Sequence, residues 1–391
     1  MPYNLFTRRP AVWAAWLVIA AIMLATPAYA QPSCDDPFAG AARPGFSIGF
    51  WQLTDFCKRS VDFSDIRSGG PPPDGIPPID NPQFETIEVA RSWLQDRSPV
   101  IALAVGDDVR AYPLAILIWH EIVNDTVGDV PVAVTFCPLC NSSLVFRRQV
   151  GDDILRFGVS GLLRNSDLIM WDDQTQSWWQ QLTGEAVVGS YTGTVLEFLP
   201  SRVVGFSDFK RQYPQGMVLS RNTNHRRPYG QNPYERYDSS AQPFLFDGAL
   251  DRRLPPTAHV LAGVIGGEPT AYPFSKLAEE RVINDTVGDV PVVALWQPGA
   301  VSALDDSIID NSRDVGMAAL YARQLGDRLL TFRLSADGRI TDEQTGSIWN
   351  VFGEAEFGDL RGSSLQPLIA NPHFWFAWAA FRPETRVYGL P

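Results

Sequence analysis

The stretch Asn124–Val132 reads NDTVGDVPV, and the same nine residues recur unchanged at Asn284–Val292, which lies 160 positions further along the chain. A nine-residue identity at a fixed offset indicates an internal duplication. The correspondence extends to other residues at the same or a slightly larger offset: Ala111-Tyr112-Pro113 matches Ala271-Tyr272-Pro273, and Asp172, Gln174, Thr175, Ser177 and Trp179 match Asp342, Gln344, Thr345, Ser347 and Trp349. The sequence therefore predicts two tandem modules, at roughly 86–220 and 258–391, joined by a polar connection at 221–257.

Within each module, the hydrophobic pattern favours strands over helices. Val100–Val105 and Val130–Phe136 are apolar and rich in β-branched residues, which is typical of buried strands. Leu114–Val123 lacks Gly and Pro and has helical spacing, and Phe206–Tyr213 reads as a short amphipathic helix that ends before Pro214. The predicted fold class is therefore α+β and β-rich, with two tandem repeated modules and short helices.

The start of the chain has the features of an exported protein. Met1–Ala30 combines Arg8 and Arg9 with an apolar run and a small-residue end, which is typical of a cleavable secretory signal. Residues 31–85 follow as an irregular segment rich in Pro and Gly. No later segment is apolar for long enough to cross a bilayer, so we expect a periplasmic or secreted protein with no membrane span after cleavage.

Charge and cysteine content agree with export. The formal net charge of −12 becomes −14 once the two signal arginines are removed. Such an acidic protein is not expected to bind nucleic acid, because the two molecules are negatively charged and repel each other. An even number of cysteines suits an oxidising compartment. Cys34 and Cys57 lie in the irregular segment without His neighbours, and we predict a structural disulfide between them.

The two copies differ in residue types that carry chemistry. Residues kept in both copies are expected to be scaffold, so that Asp and Thr satisfy turn amides and Trp fills the cores. Between Phe157 and Asp172 the first copy also has about five extra residues, in a region that could line a site. The second copy replaces four candidate residues of the first: His120 by Glu280, Glu121 by Arg281, Cys137 by Gln297 and Cys140 by Ala300.

The first hypothesis is a metal site. A Cys-x-x-Cys at Cys137 and Cys140 can direct two thiolates to one point, and His120 would complete a soft three-ligand site. This donor set favours copper, with zinc as the second choice. Glu121 or Asp125 would orient the imidazole of His120.

The first copy also supplies residues for an opening above such a metal. Arg164, Asn165 and Ser166 fall in the extra segment and would line it. If the metal keeps an open position, Glu121, Arg164 and Ser166 are the candidate catalytic residues.

Two further hypotheses stay open. Cys137 and Cys140 could form a reversible disulfide in a thiol-disulfide oxidoreductase. Alternatively, the protein is a non-catalytic binding module with a structural disulfide, in which tryptophans form an aromatic surface, namely Trp119, Trp171, Trp178 and Trp179. The sequence identifies no partner, and it lacks glycine-rich phosphate loops, so no cofactor besides the metal is predicted.

The motif set resembles one family, called Domain of Unknown Function 3179. The residues that carry the resemblance are Ser68–Gly70, Asp74–Pro77, Ala111–Pro113, Trp119–Asp125, Thr135–Cys140, Phe157–Gly161, Asp173–Trp178, Leu182–Ala186, Tyr229–Tyr234 and Phe374–Trp378. The resemblance implies an exported or lipid-anchored prokaryotic protein and attaches no activity. One departure is Asn141, where the family pattern has Gly, and this is expected to alter the turn after the cysteine pair.

Overall fold

A computed structural model describes residues 37–38 and 46–390. The predicted signal at Met1–Ala30 and the cysteine Cys34 lie outside these residues, so the signal and the Cys34–Cys57 disulfide stay predictions. Below, the N-terminal half means the described residues up to 220, the connecting segment means 221–257, and the C-terminal half means 258–390.

The described chain is β-rich, with 40% of it in strands, which confirms the coarse fold class. The N-terminal half contains sixteen strands: β1 (Ile66–Ser68), β2 (Phe84–Thr86), β3 (Pro99–Val105), β4 (Asp108–Pro113), β5 (Ile122–Val127), β6 (Val130–Cys137), β7 (Ser142–Arg147), β8 (Gln149–Val150), β9 (Asp153–Ile154), β10 (Phe157–Arg164), β11 (Asp167–Asp172), β12 (Trp178–Gln180), β13 (Ala186–Val188), β14 (Phe198–Leu199), β15 (Ser201–Gly205) and β16 (Met217–Leu219). The C-terminal half adds β17 (His259–Ile265), β18 (Glu268–Pro273), β19 (Val282–Val287), β20 (Val290–Gln297), β21 (Met317–Ala322), β22 (Gln324–Leu325), β23 (Arg328–Leu329), β24 (Phe332–Leu334), β25 (Ile340–Asp342), β26 (Ile348–Trp349), β27 (Ala355–Phe357), β28 (Asn371–Phe374) and β29 (Arg386–Val387).

The helices are short. The α-helices are α1 (Ile87–Ala90), α2 (Leu114–Leu117), α3 (Phe206–Gln212), α4 (Phe274–Glu280) and α5 (Trp375–Phe381), and 3-10 turns lie at Phe63–Asp65, Pro138–Cys140, Tyr237–Ser239 and Ile309–Asn311. The predicted helix at Leu114–Val123 is wrong beyond its first turn, because Glu121 has a φ of 59° that reverses the chain into β5. No helix of the described residues has the length and apolarity that crossing a membrane requires.

The strands of each half form comparable sheets. In the N-terminal half the strand orders are β15-β3-β4-β16-β2, β14-β7-β6-β5 and β1-β10-β11-β12-β13. In the C-terminal half they are β28-β17-β18-β29, β19-β20-β21 and β24-β25-β26-β27. The register is also the same, since Asp125 pairs with Val132 in β5/β6 and Asp285 pairs with Val292 in β19/β20.

The residues shared by both copies make the same contacts in both halves. Trp179 Nε1 donates to Asp172 at 2.9 Å, and Trp349 Nε1 donates to Asp342 at the same distance. Each of these aspartates also accepts the amide of the threonine three residues later. These contacts agree with the scaffold role expected for the repeated segments.

The two halves share their largest hydrophobic core. Phe136 and Leu144 of the N-terminal sheet pack in one cluster with Phe374 and Trp375 of the C-terminal half. Helix α5 contacts the 3-10 turn at Pro138–Cys140. The C-terminal half therefore covers the turn that carries the cysteine pair.

Candidate metal centre

The cysteine pair lies on a tight turn that follows a buried strand. Strand β6 ends at Cys137, and Pro138 starts a 3-10 turn that ends at Cys140. Asn141 then closes the turn in the left-handed region, with a φ of 47°, and its amide donates to the carbonyl of Pro138 at 3.2 Å. Asn is the residue type besides Gly that adopts this conformation readily, so the departure at Asn141 preserves the turn.

A long hairpin delivers a third acidic group to the same place. Strands β10 and β11 pair from Phe157–Asp172 to Arg164–Asp167, with a bulge after Val159 and a turn at Asn165 and Ser166. The first residue after this turn is Asp167, which the sequence analysis did not predict. Its position depends on the hairpin length, which a linear motif does not reveal.

The C-terminal half has a shorter version of this hairpin. Val159 pairs with Met170 in the first copy, whereas Leu334 pairs with Ile340 in the second. Ten residues, 160–169, therefore lie between Val159 and Met170 in the first copy, and five, 335–339, lie between Leu334 and Ile340 in the second. The difference of five accounts for the extra residues seen in the sequence, and Asp167 belongs to the longer part.

The turn and the hairpin bring three ligand atoms together. One atom each from Cys137, Cys140 and Asp167 lies within 4.8 Å of the others. All three residues are at most 2% exposed, and both sulfur atoms are free thiols. The carbonyl oxygen of Ser166 lies 3.8 Å from Sγ of Cys137 and 3.5 Å from Sγ of Cys140.

The carboxylate of Asp167 is held through one oxygen, and the thiols of the cysteine pair lie beside it. Its Oδ2 accepts hydrogen bonds from Nε2 of Gln180 at 2.7 Å and from the amide of Leu182 at 2.9 Å. Its Oδ1 is buried and receives no hydrogen bond from an N–H or O–H group of the described residues, and the thiol groups of Cys137 and Cys140 are the hydrogen-bond donors next to the carboxylate. Thiols are weak donors, so a cation bound between the sulfur atoms and this carboxylate would stabilise the site.

The site concentrates acidic groups away from water. Burial raises the pKa of Asp167 to about 6, and burial together with the nearby Asp167 raises the pKa of Glu121 to about 8. Burial also raises the pKa of both thiols, and that of Cys140 lies well above its ordinary value. A cation bound among these groups would reverse the shifts, because it favours the deprotonated forms.

The connecting segment covers the site. The hydroxyl of Ser166 donates to the carbonyl of Phe244, and the amide of Phe244 donates to Oη of Tyr237 at 3.2 Å. Burial raises the pKa of Tyr234, and the charge of the Glu121 carboxylate raises it further. These contacts and helix α5 enclose the cysteine pair.

The structure does not bring His120 to the cysteine pair. Its Nδ1 lies 2.6 Å from the carbonyl oxygen of Pro77, and its Nε2 lies 2.7 Å from Oη of Tyr229. Both ring nitrogens are thus engaged by the irregular segment and the connecting segment. The carboxylate of Asp125 does not orient the imidazole either, because it binds Arg110 at 2.8 Å.

The other residues predicted for the site, Glu121, Ser166 and Arg164, have different surroundings. Glu121 is buried beside Asp167 and lies at the site. Ser166 contributes its carbonyl oxygen near the sulfurs, while its hydroxyl binds Phe244. Arg164 pairs with Asp167 across the hairpin, and its guanidinium lies 5.3 Å from the ring centre of Phe381.

The predicted aromatic surface is wrong for three of its four members. Trp178 and Trp179 are fully buried, and Trp171 is 6% exposed. The fourth, Trp119, is partly buried and donates through Nε1 to the carbonyl of Gln231. Trp171, Trp178 and Trp179 are core residues, and Trp119 binds the connecting segment. The four rings therefore do not form one exposed aromatic surface.

Comparison with known proteins identifies a family. A family model described as "Protein of unknown function (DUF3179)" matches residues 73–385. No curated protein and no solved structure matches the chain significantly.

Proposed function

Because the chain belongs to the DUF3179 family of proteins of unknown function, we propose its function from the site itself: it binds a thiophilic divalent metal ion through Cys137, Cys140 and Asp167. One observation carries the proposal. The cysteine pair and the hairpin extension with Asp167 are both present in one copy only, and they meet at one point. Two independent differences between the copies thus converge on a single buried cluster.

The donor set supports zinc over copper. Zinc accepts both sulfur and carboxylate ligands, whereas Cu(I) favours sulfur and imidazole. Tetrahedral zinc with ordinary bond lengths separates its ligand atoms by about 3.3–3.8 Å. The mutual distances within 4.8 Å are compatible with closure around an ion after a small adjustment. Because Asp167, and not His120, lies beside the cysteine pair, the preferred metal changes from copper, which the sequence favoured, to zinc.

The redox hypothesis is less well supported. A dithiol catalyst needs an exposed thiolate with a lowered pKa. Here burial raises the pKa of Cys137 and Cys140, and both are covered by the connecting segment.

The same proposal includes the organisation of the chain. We infer that 86–220 and 258–391 are duplicated modules, and that the second is a degenerate copy without the site. Gln297, which stands at the position of Cys137, binds Asp208 of the N-terminal half at 2.8 Å. The second copy thus uses this position for packing between the halves. Export to the periplasm or outside the cell belongs to the proposal as well.

Metal stoichiometry tests the proposed function. The full chain is purified after export, stripped with a chelator, and titrated with Zn²⁺ in competition with a colorimetric zinc indicator. We expect about one zinc per chain, and loss of tight binding in Cys137→Ser and Asp167→Asn. Asp337→Asn is the matched control, because Asp337 is an exposed aspartate in the corresponding hairpin turn of the second copy. Unchanged binding in Asp167→Asn would contradict the proposal.

A further inference from the structure

A second site lies between the two halves. A cavity of 370 Å³ has one wall from the N-terminal half and one from the C-terminal half. The first wall includes Leu182, Val195 and Phe198; the second includes His373, Trp378 and Arg382. This volume is in the range of small-molecule sites in proteins.

The walls are mainly apolar, and the cavity has a solvent-exposed rim. Trp378 of helix α5 and Phe198 supply aromatic area, and aliphatic side chains form most of the remainder. Val195 and Val264 belong to opposite halves and are 58% and 45% exposed. Two exposed valines facing one cavity indicate an entrance through which an apolar group can enter.

The polar residues of the cavity include one cation and no acid. Arg382 forms no ion pair with any of the described residues that carry a carboxylate; its Nη1 donates to the carbonyl of Phe381 at 3.0 Å. His373 is 1% exposed, and its Nδ1 has no hydrogen-bond partner in the described part of the chain. Burial lowers the pKa of His373 to about 3, so the ring is neutral and offers a hydrogen bond without a second charge.

We propose that this cavity binds an amphipathic monocarboxylate, with its apolar body between the two halves and its carboxylate on Arg382. Arginine binds carboxylates through charge-assisted hydrogen bonds. A neutral apolar ligand would leave Arg382 without a counter-charge. Three other clefts of the described residues contain aspartates beside their cations, as with Asp96 and Asp310 in one of them. Charge complementarity therefore favours an anion in the cavity that Arg382 lines.

The cavity also touches the support of the metal centre. Leu182 lines the cavity, and its amide donates to Oδ2 of Asp167 at 2.9 Å. None of the lining residues of the cavity is a proposed metal ligand. Its test can thus be carried out on the metal-stripped and on the metal-loaded chain.

Calorimetric titration with two matched probes tests the proposal. Decanoate has the proposed chemistry, and 1-decanol has the same chain without the charge. We expect Arg382→Met to weaken decanoate binding by about tenfold or more while leaving decanol binding unchanged. Arg328→Met is the control, because Arg328 is exposed in the β22/β23 hairpin and forms no ion pair among the described residues.

A second variant tests the entrance. Val195→Trp is expected to weaken both probes, because the larger ring closes the rim at an exposed position that folding tolerates. Val89→Trp is its control, since Val89 is 53% exposed and does not line the cavity. Circular dichroism verifies that each variant is folded. The proposal is overturned if wild-type protein binds no decanoate, or if folded Arg382→Met binds decanoate as tightly as wild type.

Discussion

Nε2 of His120 accepts a hydrogen bond from the hydroxyl of Tyr229 across 2.7 Å. The direction follows from the other ring nitrogen: Pro77 offers only a carbonyl oxygen, so Nδ1 must donate and Nε2 must accept. Oη of Tyr229 is also hydrogen-bonded to the hydroxyl of Thr223. His120 thus ties the irregular segment and the connecting segment to the N-terminal sheet.

This tether predicts a structural phenotype for His120. We expect His120→Ala to lower the free energy of unfolding by about 1–3 kcal/mol, because it removes two hydrogen bonds of a buried ring. Zinc stoichiometry should stay that of wild type. Urea unfolding and metal analysis of the same preparation measure both. Loss of metal at unchanged stability would instead make His120 a ligand.

The pKa of Glu121 predicts how the stability of the metal-free protein depends on pH. Burial and Asp167 raise this pKa from 4.5 to about 8. Between these values the folded protein holds a proton that the unfolded chain releases. The contribution of Glu121 to the free energy of unfolding is complete below pH 4.5. Between pH 4.5 and about 8 this contribution is lost, by about 1.4 kcal/mol per pH unit.

Urea unfolding of chelator-treated protein at about pH 5 and pH 8 measures this effect. Glu121→Gln is expected to flatten the decline, because glutamine does not titrate. Glu88→Gln serves as the control, since the side chain of Glu88 is 82% exposed. If the free energy of unfolding falls equally with pH in wild type and in Glu121→Gln, Glu121 titrates as it does in the unfolded chain, and the prediction is wrong.

Burial of Cys137 and Cys140 predicts that their thiols react slowly with disulfide reagents. Each unit by which a pKa is raised reduces the thiolate fraction about tenfold. Cys137 and Cys140 in the folded, metal-free protein should therefore react with a disulfide reagent at least about tenfold more slowly than in denaturant. Stopped-flow measurement at neutral pH checks this. A reaction as fast as in denaturant would favour the thiol-disulfide oxidoreductase.

Much of the fold was accessible from the sequence. The apolar, β-branched runs Val100–Val105 and Val130–Phe136 predicted strands, and they lie in β3 and β6. The helix at Phe206–Gln212 also ends before Pro214 as predicted. The helix predicted from Leu114 was too long, because helical spacing does not reveal that Glu121 adopts a left-handed conformation.

The site was predictable only in part. The comparison of the two copies identified Cys137, Cys140 and Glu121, since residue differences are visible at aligned positions. Asp167 was missed, because it reaches the cysteines through the length of a hairpin. The extra residues in the first copy were the available signal. His120 follows α2 by only a few residues, and its direction is set by contacts with Pro77 and Tyr229 that are distant in sequence.

X-ray absorption at the zinc edge of the loaded protein identifies the proposed ligands, because it reports the atoms bound to the metal. Two sulfur ligands at about 2.3 Å and oxygen at about 2.0 Å are expected. Asp167→Asn should alter the oxygen shell, and His120→Ala should leave the spectrum unchanged. A spectrum with imidazole scattering that disappears in His120→Ala, or one without sulfur, would contradict the Cys137, Cys140 and Asp167 site.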